Sequence, residues 1–225
     1  VNVSGQISNS WPFVYSSPVI QGFSPSTIDT AGGTLVTVTG LNFGLGNLST
    51  VNFQLRGVTI PSSSITFINH TQLVFAAPPG TGSGLTMAMT VAGQPSTYTA
   101  STFLSYANPN IVSVSGCLSD IYPQAAGCSV TNQQTITITG SQFGAVASQV
   151  SVTIGTGSAC TDVTFITAQT QFTCTLPTYE RGGYNLPVNV TVNGLTTSRN
   201  YLSFEGPTIA PMTLVRYNQG TNAPM

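Results

Sequence analysis

The feature that most constrains the fold is a motif that occurs twice in the chain. Gly32–Gly44 reads GGTLVTVTGLNFG, and Thr135–Gly144 reads TITITGSQFG. Apolar and polar residues alternate along both copies, so that Val36 and Val38 share one face, as do the matching isoleucines of the second copy. A period of two predicts half-buried β-strands, each ending in a glycine-containing turn.

The repetition continues downstream of this motif. The matching pairs are Ile65–Pro78 with Val163–Pro177, Met87–Gly93 with Val188–Gly194, and Phe103–Ile111 with Tyr201–Ile209. No stretch has the period of an amphipathic helix, and Gly, Pro, Asn and Ser separate the short strand-like segments. The sequence therefore predicts an all-β protein built from two similar antiparallel sandwiches in tandem.

The repeat also sets the expected domain boundaries. Each unit begins at a strand that follows a proline, Pro18 or Pro109, and ends at an aromatic strand. We expect domain 1 at 18–107 and domain 2 at 108–206. A linker of essentially no length between them predicts a stiff rod.

Charge is unusually scarce. Charged residues make up 4% of the chain, which contains four arginines and no lysine. So few cations cannot neutralise a row of phosphates, which argues against nucleic acid as a partner and against anionic membrane surfaces. No apolar run is long enough for a membrane helix, so membrane insertion is not expected. A surface with little charge repulsion needs another source of solubility, such as sugar, or favours association.

The residue series that carries the repeat resembles the IPT/TIG immunoglobulin-like domain. The shared elements are the proline-led first strand, GGTxVTVTGxNFG, the downstream TxxxxPxG and the closing FxY-type strand. That family occurs in plexin-type and growth-factor receptors, in protist adhesion proteins, in bacterial surface proteins and in Rel-type transcription factors. The Rel-type role needs basic loops, which this chain lacks. The resemblance therefore implies immunoglobulin-like sandwiches of the extracellular branch, secreted or on a cell surface.

All four cysteines lie in the second repeat. Cys160 and Cys174 flank a predicted hairpin, where extracellular members of the family that this chain resembles often carry a disulfide. Cys117 and Cys128 bracket an insertion that the first repeat lacks. We predict that both pairs are bridged. A zinc site is the weaker alternative, because the spacing is wrong and the chain has one histidine.

Four Asn-x-Ser/Thr sequons predict N-glycosylation, at Asn2, Asn47, Asn69 and Asn189. Asn47 and Asn69 fall in or near predicted turns, and strand alternation turns Asn189 towards solvent. Covalent glycans would supply the solubility that charge does not.

The sequence offers no catalytic, cofactor or metal site. Glu180 and Arg181 are interpreted as an exposed ion pair, and His70 as a surface residue without a catalytic partner. GTGSG at 80–84 lacks the lysine and helix of a phosphate-binding loop, so we interpret it as a flexible connection. Asp29 and Asp120 lie near repeat junctions but without the oxygen-rich cluster that calcium requires.

Both ends of the sequence are out of frame with the repeat. Residues 1–17 resemble the last hairpin of a preceding repeat, and 207–225 resemble the first strand of a third. Two accounts fit this pattern: the sequence is an excerpt of a longer repeat array cut without regard to the domain frame, or its unpaired apolar terminal strands pair with a neighbouring molecule. The expected assembly residues are Val1, Val3, Trp11, Phe13, Tyr15, Ile209, Met212, Leu214 and Val215.

Two functional hypotheses follow. The first is a non-enzymatic, glycosylated extracellular structural protein that assembles head-to-tail with itself into a fibril. The alternative is an adhesion or recognition module of a surface receptor or adhesin that binds a protein or carbohydrate ligand.

Overall fold

The computed structural model describes residues 2–10, 12, 14–46, 48–100, 103–178 and 182–207. These residues form two β-sandwiches in tandem, as the alternating pattern predicts, preceded by a short hairpin. They contain three single-turn 3₁₀ helices and no α-helix: Leu48–Thr50, Ser62–Ser64 and Ala147–Gln149. Within the described residues no helix is long and apolar enough to cross a membrane.

The N-terminal hairpin and domain 1 contain thirteen strands. They are β1 (Asn2–Val3), β2 (Gln6–Ile7), β3 (Val19–Ser24), β4 (Thr27–Ile28), β5 (Leu35–Leu41), β6 (Val51–Leu55), β7 (Val58–Thr59), β8 (Ile65–Ile68), β9 (Gln72–Ala76), β10 (Met87–Val91), β11 (Gln94–Pro95), β12 (Thr97–Tyr98) and β13 (Ser105–Tyr106). One sheet has the order β12-β3-β5-β9-β8 and the facing sheet the order β11-β10-β6-β7. Strand β13 adds a short parallel pair with β4.

Domain 2 repeats this arrangement with longer strands. They are β14 (Asn110–Ser115), β15 (Ala125–Cys128), β16 (Gln134–Ser141), β17 (Val150–Ile154), β18 (Ser158–Thr167), β19 (Gln171–Leu176), β20 (Leu186–Val192) and β21 (Leu195–Phe204). The order is β14-β16-β19-β18-β17-β20-β21-β15. Strand β18 pairs with β17 through its first residues and with β19 through the rest, so one strand connects the two layers.

The repeated motif forms the centre of each sandwich. Val36 and Val38 in β5 are fully buried, and so are Ile136 and Ile138 in β16, each set within its own hydrophobic core. Because the intervening threonines point outward, each strand contributes one apolar face, as the period of two requires.

The motif glycine is required by close packing. A Cβ added at Gly140 would lie 1.9 Å from the carbonyl oxygen of Asn110 and 2.6 Å from Cζ of Phe143. A Cβ added at Gly40 would likewise lie 1.9 Å from the carbonyl oxygen of Val19, and the ring of Phe43 covers this position. Both rings are fully buried. The glycine therefore lets a neighbouring backbone and an aromatic ring occupy the space that a side chain would fill.

Both cysteine pairs predicted from the sequence are bonded. Cys160 and Cys174 join β18 to β19, and Cys117 joins the inserted loop to Cys128 of β15. The described residues include no free cysteine. Closing loops of this size contributes about 3 kcal/mol each in the chain-entropy account.

The glycine contact generates a stability prediction. Gly140→Ala should lower the free energy of unfolding by about 3 kcal/mol or more, because the new methyl group overlaps backbone that cannot move aside. Gly206→Ala is the matched control, since its Cβ would meet nothing within 4 Å. Guanidinium denaturation with the disulfides intact measures both variants. Equal midpoints for the two would contradict the packing argument.

Candidate functional site

Two buried threonines mark the contact between the domains. Thr30 is 1% exposed and Thr81 is 5% exposed, which makes them two of the three buried polar side chains among the described residues. Both lie where domain 1 meets domain 2. A buried hydroxyl without a partner costs about 1–3 kcal/mol, so the partners of these two residues define the site. We call this contact the joint; it comprises Asp29, Thr30 and Thr81 of domain 1 and Gln142, Gln149, Gln169 and Asn193 of domain 2.

Thr30 is the first centre of the joint. Its backbone N–H donates to Oε1 of Gln142 at 2.9 Å, and its hydroxyl lies 2.8 Å from the same oxygen. The hydroxyl also contacts Oε1 of Gln169, whose Nε2 donates back to the carbonyl oxygen of Thr30 at 3.2 Å. Nε2 of Gln142 donates to the Asp29 carboxylate at 3.0 Å. Two glutamines of domain 2 therefore satisfy the backbone and side chain of one residue of domain 1.

Thr81 is the second centre. Its hydroxyl donates to Oε1 of Gln149 at 2.7 Å, and Nδ2 of Asn193 donates to its carbonyl oxygen at 3.2 Å. The Gly144 backbone also packs against this side chain, since a Cβ at Gly144 would lie 2.6 Å from Cγ2 of Thr81. No buried side-chain polar atom of the described residues lacks a partner. The buried side-chain polar atoms of the joint are thus all hydrogen-bonded, which favours a rigid connection.

The loop that carries Thr81 is anchored from within domain 1. The Tyr106 hydroxyl donates to the carbonyl oxygen of Pro78 at 2.8 Å, and Nη1 of Arg56 donates to the carbonyl oxygen of Thr81 at 3.1 Å. Burial raises the pKa of Tyr106, and the nearby Arg56 guanidinium partly offsets this. The interpretation of 80–84 as a flexible connection is therefore wrong at Thr81, which is buried against domain 2.

The repeat motif positions the glutamines of the joint. Gln142 directly precedes Phe143, and the Phe143 N–H donates to the carbonyl oxygen of Gln169 at 3.1 Å. Both glutamines have a positive φ, 64° and 70°, which turns the chain sharply at the end of domain 2 that faces domain 1. The buried ring thus holds two loops together and projects two amide side chains from one end of the domain.

The equivalent end of domain 1 is built in the same way, and we call it the open pole. Its Phe43 N–H donates to the carbonyl oxygen of His70, as Phe143 does to Gln169, and its Ala92 N–H donates to Thr50, as Asn193 does to Gln149. Asn42, His70 and Ala92 therefore correspond to Gln142, Gln169 and Asn193. In domain 2 this surface binds domain 1. In domain 1 it faces away from domain 2.

A cavity of about 920 Å³ lies at the open pole, whereas about 270 Å³ remains at the joint. Its walls combine the pole with the segment that leads into domain 1. They include Val14, Tyr15, Asn42, Leu45, His70 and Val91. Leu45 is 90% exposed and Tyr15 is 75% exposed. Nδ2 of Asn42 donates to the carbonyl oxygen of Ser17 at 3.0 Å, which holds the lead-in segment against the pole. An apolar, partly formed concave surface of this kind can accept a protein surface or a ligand.

The predicted glycosylation residues have different settings. Asn69 is half-buried in a turn, where its Oδ1 accepts hydrogen bonds from the N–H groups of Thr71 at 2.9 Å and Gln72 at 2.7 Å. Asn189 lies within β20, and its Nδ2 donates to the Thr153 hydroxyl at 3.3 Å. Asn2 lies in β1, and Asn47 is outside the described residues. Glycosylation at all four stays a prediction.

The acidic residues at the repeat junctions bind the protein's own backbone. Oδ1 of Asp29 accepts from the Ala31 N–H at 2.7 Å, and Oδ2 of Asp120 accepts from the Gly116 N–H at 2.6 Å. Among the described residues no group of three His, Cys, Asp or Glu side chains could hold a metal ion. His70 is exposed at the open pole, as predicted for a surface residue.

The assembly residues fall mostly outside the described part of the chain. Tyr15 is described and lines the cavity. Val3 lies in β1, which pairs with β2 and with no other described strand. The remaining predicted residues, Val1, Trp11, Phe13, Ile209, Met212, Leu214 and Val215, are outside the described residues. Terminal strand exchange therefore stays a prediction.

Sequence reasoning missed the joint itself. Thr30, Thr81, Gln142, Gln149, Gln169 and Asn193 have no local motif. A signal was nevertheless present, because Gln142 and Gln169 occupy the same positions of the repeat as Asn42 and His70. Aligning the two repeats and asking which polar loop residues lie at the shared end would have identified the pole.

The joint generates a prediction about coupling between the domains. Thr30→Val keeps the shape but removes the hydroxyl, and it should lower the free energy of unfolding by about 1–3 kcal/mol because the glutamine amides lose a buried partner. Thr137→Val, on the outer face of β16, is the matched control. Guanidinium unfolding measures stability, and exchange of the backbone amide of residue 30, whose N–H donates to Gln142 across the joint, reports opening of the joint. If Thr30→Val left the exchange rate of this amide unchanged and were as stable as Thr137→Val, the role assigned to Thr30 in the joint would be contradicted.

Comparison with known proteins agrees with the repeat. The profile of the IPT/TIG domain matches residues 18–106 and 117–205. No curated protein matches the chain. Similar solved structures include the plexin A4 extracellular region, with 20% identity and a TM-score of 0.35 over 84% of this chain and 18% of that chain. They also include the surface glycan-binding protein PbSGBP-B of Prevotella bryantii, with 16% identity and a TM-score of 0.45 over 83% of this chain and 42% of that chain.

A third similar structure is SGBP-B from a xyloglucan utilization locus of Bacteroides uniformis, with 20% identity and a TM-score of 0.31 over 83% of this chain and 49% of that chain. The chain spans less than half the length of each of these three proteins. The family profile, in contrast, covers most of the chain in two consecutive copies, each of which folds as a separate sandwich. The chain therefore belongs to the IPT/TIG domain family.

Proposed function

We propose that this chain is a non-enzymatic extracellular structural protein that assembles head-to-tail into a fibril. The proposal rests on the contact that one of the two equivalent poles already makes within the chain. The end of domain 2 binds domain 1 through the joint, while the equivalent end of domain 1 presents a cavity and an exposed Leu45. A surface that already serves as a domain contact inside the chain is suited to serve as one between chains. Because the two contacting surfaces differ, the contact does not close on itself and leads to a linear polymer.

An extracellular location is compatible with the two disulfides, which persist in oxidising environments. Glycans on the sequon asparagines would add the hydration that a chain with 4% charged residues lacks. Asn69 is the most favourable described position, because its turn lies on the surface and no described residue accepts a hydrogen bond from its Nδ2.

The absence of catalysis is part of the proposal. General acid–base chemistry needs convergent titratable groups within hydrogen-bond reach of one another. Asp29 and Asp120 instead bind the backbone of their own turns, and the described surroundings of His70 contain no acid or thiol among the residues lining the cavity.

The terminal segments belong to the same proposed contact. Residues 14–16 line the cavity at the open pole, and Pro207 follows β21 at the opposite end of the molecule. The apolar residues Ile209, Met212, Leu214 and Val215 come directly after it in sequence. Strand addition from such a tail would extend the contact with backbone hydrogen bonds.

A recognition module is the second candidate, and the cavity favours it. Tyr15 and His70 place polar groups beside the apolar Leu45 and Val91, a mixture that suits a protein segment or a carbohydrate. This candidate predicts a monomer that binds its ligand saturably, whereas the fibril predicts growth of the particle.

Light scattering and negative-stain imaging of the purified chain test the proposal. We expect linear particles whose mass rises with concentration. Deleting 208–225 should return soluble monomers, because the contact loses its apolar strand. Fibres from the truncated chain would show that the tail is not part of the contact. A single monomeric species at every concentration of the intact chain would overturn assembly and favour the recognition module.

A further inference from the structure

We propose that the far pole of domain 2 is the surface that seats on the open pole of a second copy of this chain. The far pole is the end of domain 2 formed by Ser129, Val130, Gly182 and Glu205. The inference rests on the proposed function and adds the identity of the partner surface and the chemistry of the contact.

The hydrogen-bond register shows that the far pole corresponds to the domain 1 side of the joint. The Ala107 N–H donates to the carbonyl oxygen of Ile28, as the Glu205 N–H does to that of Cys128. The Tyr106 N–H likewise donates to Gly82, as the Phe204 N–H does to Gly183. Counting from these pairs, Val130 takes the place of Thr30 and Gly182 takes the place of Thr81.

The polar groups of the far pole are satisfied within domain 2. At the joint, the Thr30 N–H donates to Gln142 of the next domain. At the far pole, the equivalent Val130 N–H donates to Oε1 of Glu205 at 3.2 Å, and the Ser129 hydroxyl donates to the same oxygen at 3.3 Å. Glu205 therefore takes the place of the glutamine of a following domain, and the half-buried Val130 side chain, which also packs against the domain 2 core, lies beside the small Gly182 at this pole. A Cβ at Gly182 would lie 3.8 Å from Cγ1 of Val130, so the two form one patch.

The open pole differs from the domain 2 side of the joint in the same way, because it has apolar residues at two of the corresponding positions. Ala92 stands where Asn193 reaches across the joint, and the exposed Leu45 stands where domain 2 has Ala145. Asn42, the counterpart of Gln142, donates to Ser17 of its own lead-in segment instead of to a neighbouring domain.

The two surfaces are therefore matched to each other. Within the chain, threonines meet glutamines and asparagine. Between copies in the same register, Val130 would lie opposite Asn42 and His70, and Gly182 opposite Ala92, because their counterparts are in contact at the joint. Gly182 and Ala92 stand where Thr81 and Asn193 bond to each other, so this pair has lost its polar groups on both sides, and the Asn42 amide is already bonded to Ser17.

Cross-linking between copies tests this pairing. His70→Cys and Val130→Cys are prepared as separate variants, each with one reactive thiol because the native cysteines are bonded. His70 corresponds to Gln169 and Val130 to Thr30, which are in contact at the joint. A short bismaleimide added to an equimolar mixture should give a covalent dimer, and the chain carrying both substitutions should give a ladder of multimers. Asp29→Cys with Gln142→Cys is the positive control and should link within one chain, because these two side chains are in contact at the exposed edge of the joint.

The outcomes separate the two proposals. Cross-linking within the His70→Cys sample alone would place two open poles face to face and overturn the inference. Growth of particles without a cross-link in the mixture would also overturn it, while leaving head-to-tail assembly in place. If the particles do not grow and no cross-link forms, both proposals are rejected.

A charge substitution provides a second measurement. Leu45→Asp should weaken self-association at least tenfold, because it places a carboxylate in an apolar contact. Leu118→Asp is the matched control, since Leu118 is 87% exposed and lies in the inserted loop of domain 2. Equal association of both variants by sedimentation would count against the open pole as the contact surface.

Discussion

The contact between a glycine and an aromatic ring underlies both the fold and the site. Because Gly40 and Gly140 have no side chain, a neighbouring strand carbonyl and a phenylalanine ring can occupy that space. The N–H of each phenylalanine then binds the turn that carries His70 or Gln169. The motif that defines the repeat thus also builds the pole, so that a chain with two copies of the motif has two poles of the same construction.

In the proposed assembly, the two poles serve contacts with different thermodynamic requirements. Inside the chain, the short connection keeps the domains at high effective concentration, so hydrogen bonds that contribute about 1 kcal/mol each are sufficient to fix their orientation. Between copies, association must also overcome lost translational and rotational freedom. Burial of apolar surface provides that driving force. Thr30 and Gln142 therefore suit the joint, and the exposed Leu45 suits the proposed contact between molecules.

The sequence predicted the fold because its signals are local or repeated. The alternation at Val36 and Val38 determines which face is buried, and the recurrence of the motif determines the number of domains. The bonded cysteines followed from their positions around one hairpin and one insertion. The joint could not be read in this way, because Thr30 lies 112 residues from Gln142 and 139 from Gln169. His70 was correctly expected at the surface, but its relation to Gln169 needs the folded register. Glycosylation and terminal strand exchange stay predictions.

In the proposed fibril, the sheet edges would favour end-to-end growth over lateral aggregation. Exposed strand edges are the usual route to sideways association, and short or bulged edge strands reduce it. In domain 1 the edge strands β7, β11 and β12 have two residues each, and the fourth edge strand, β8, pairs with a register shift. In domain 2 both edge strands, β14 and β15, pair with register shifts. Because the chain carries few charges, electrostatic repulsion would keep copies apart only weakly. The short or bulged edge strands would then be what limits side-by-side pairing. In the proposed assembly copies add through the poles, and addition there would extend the polymer in one direction.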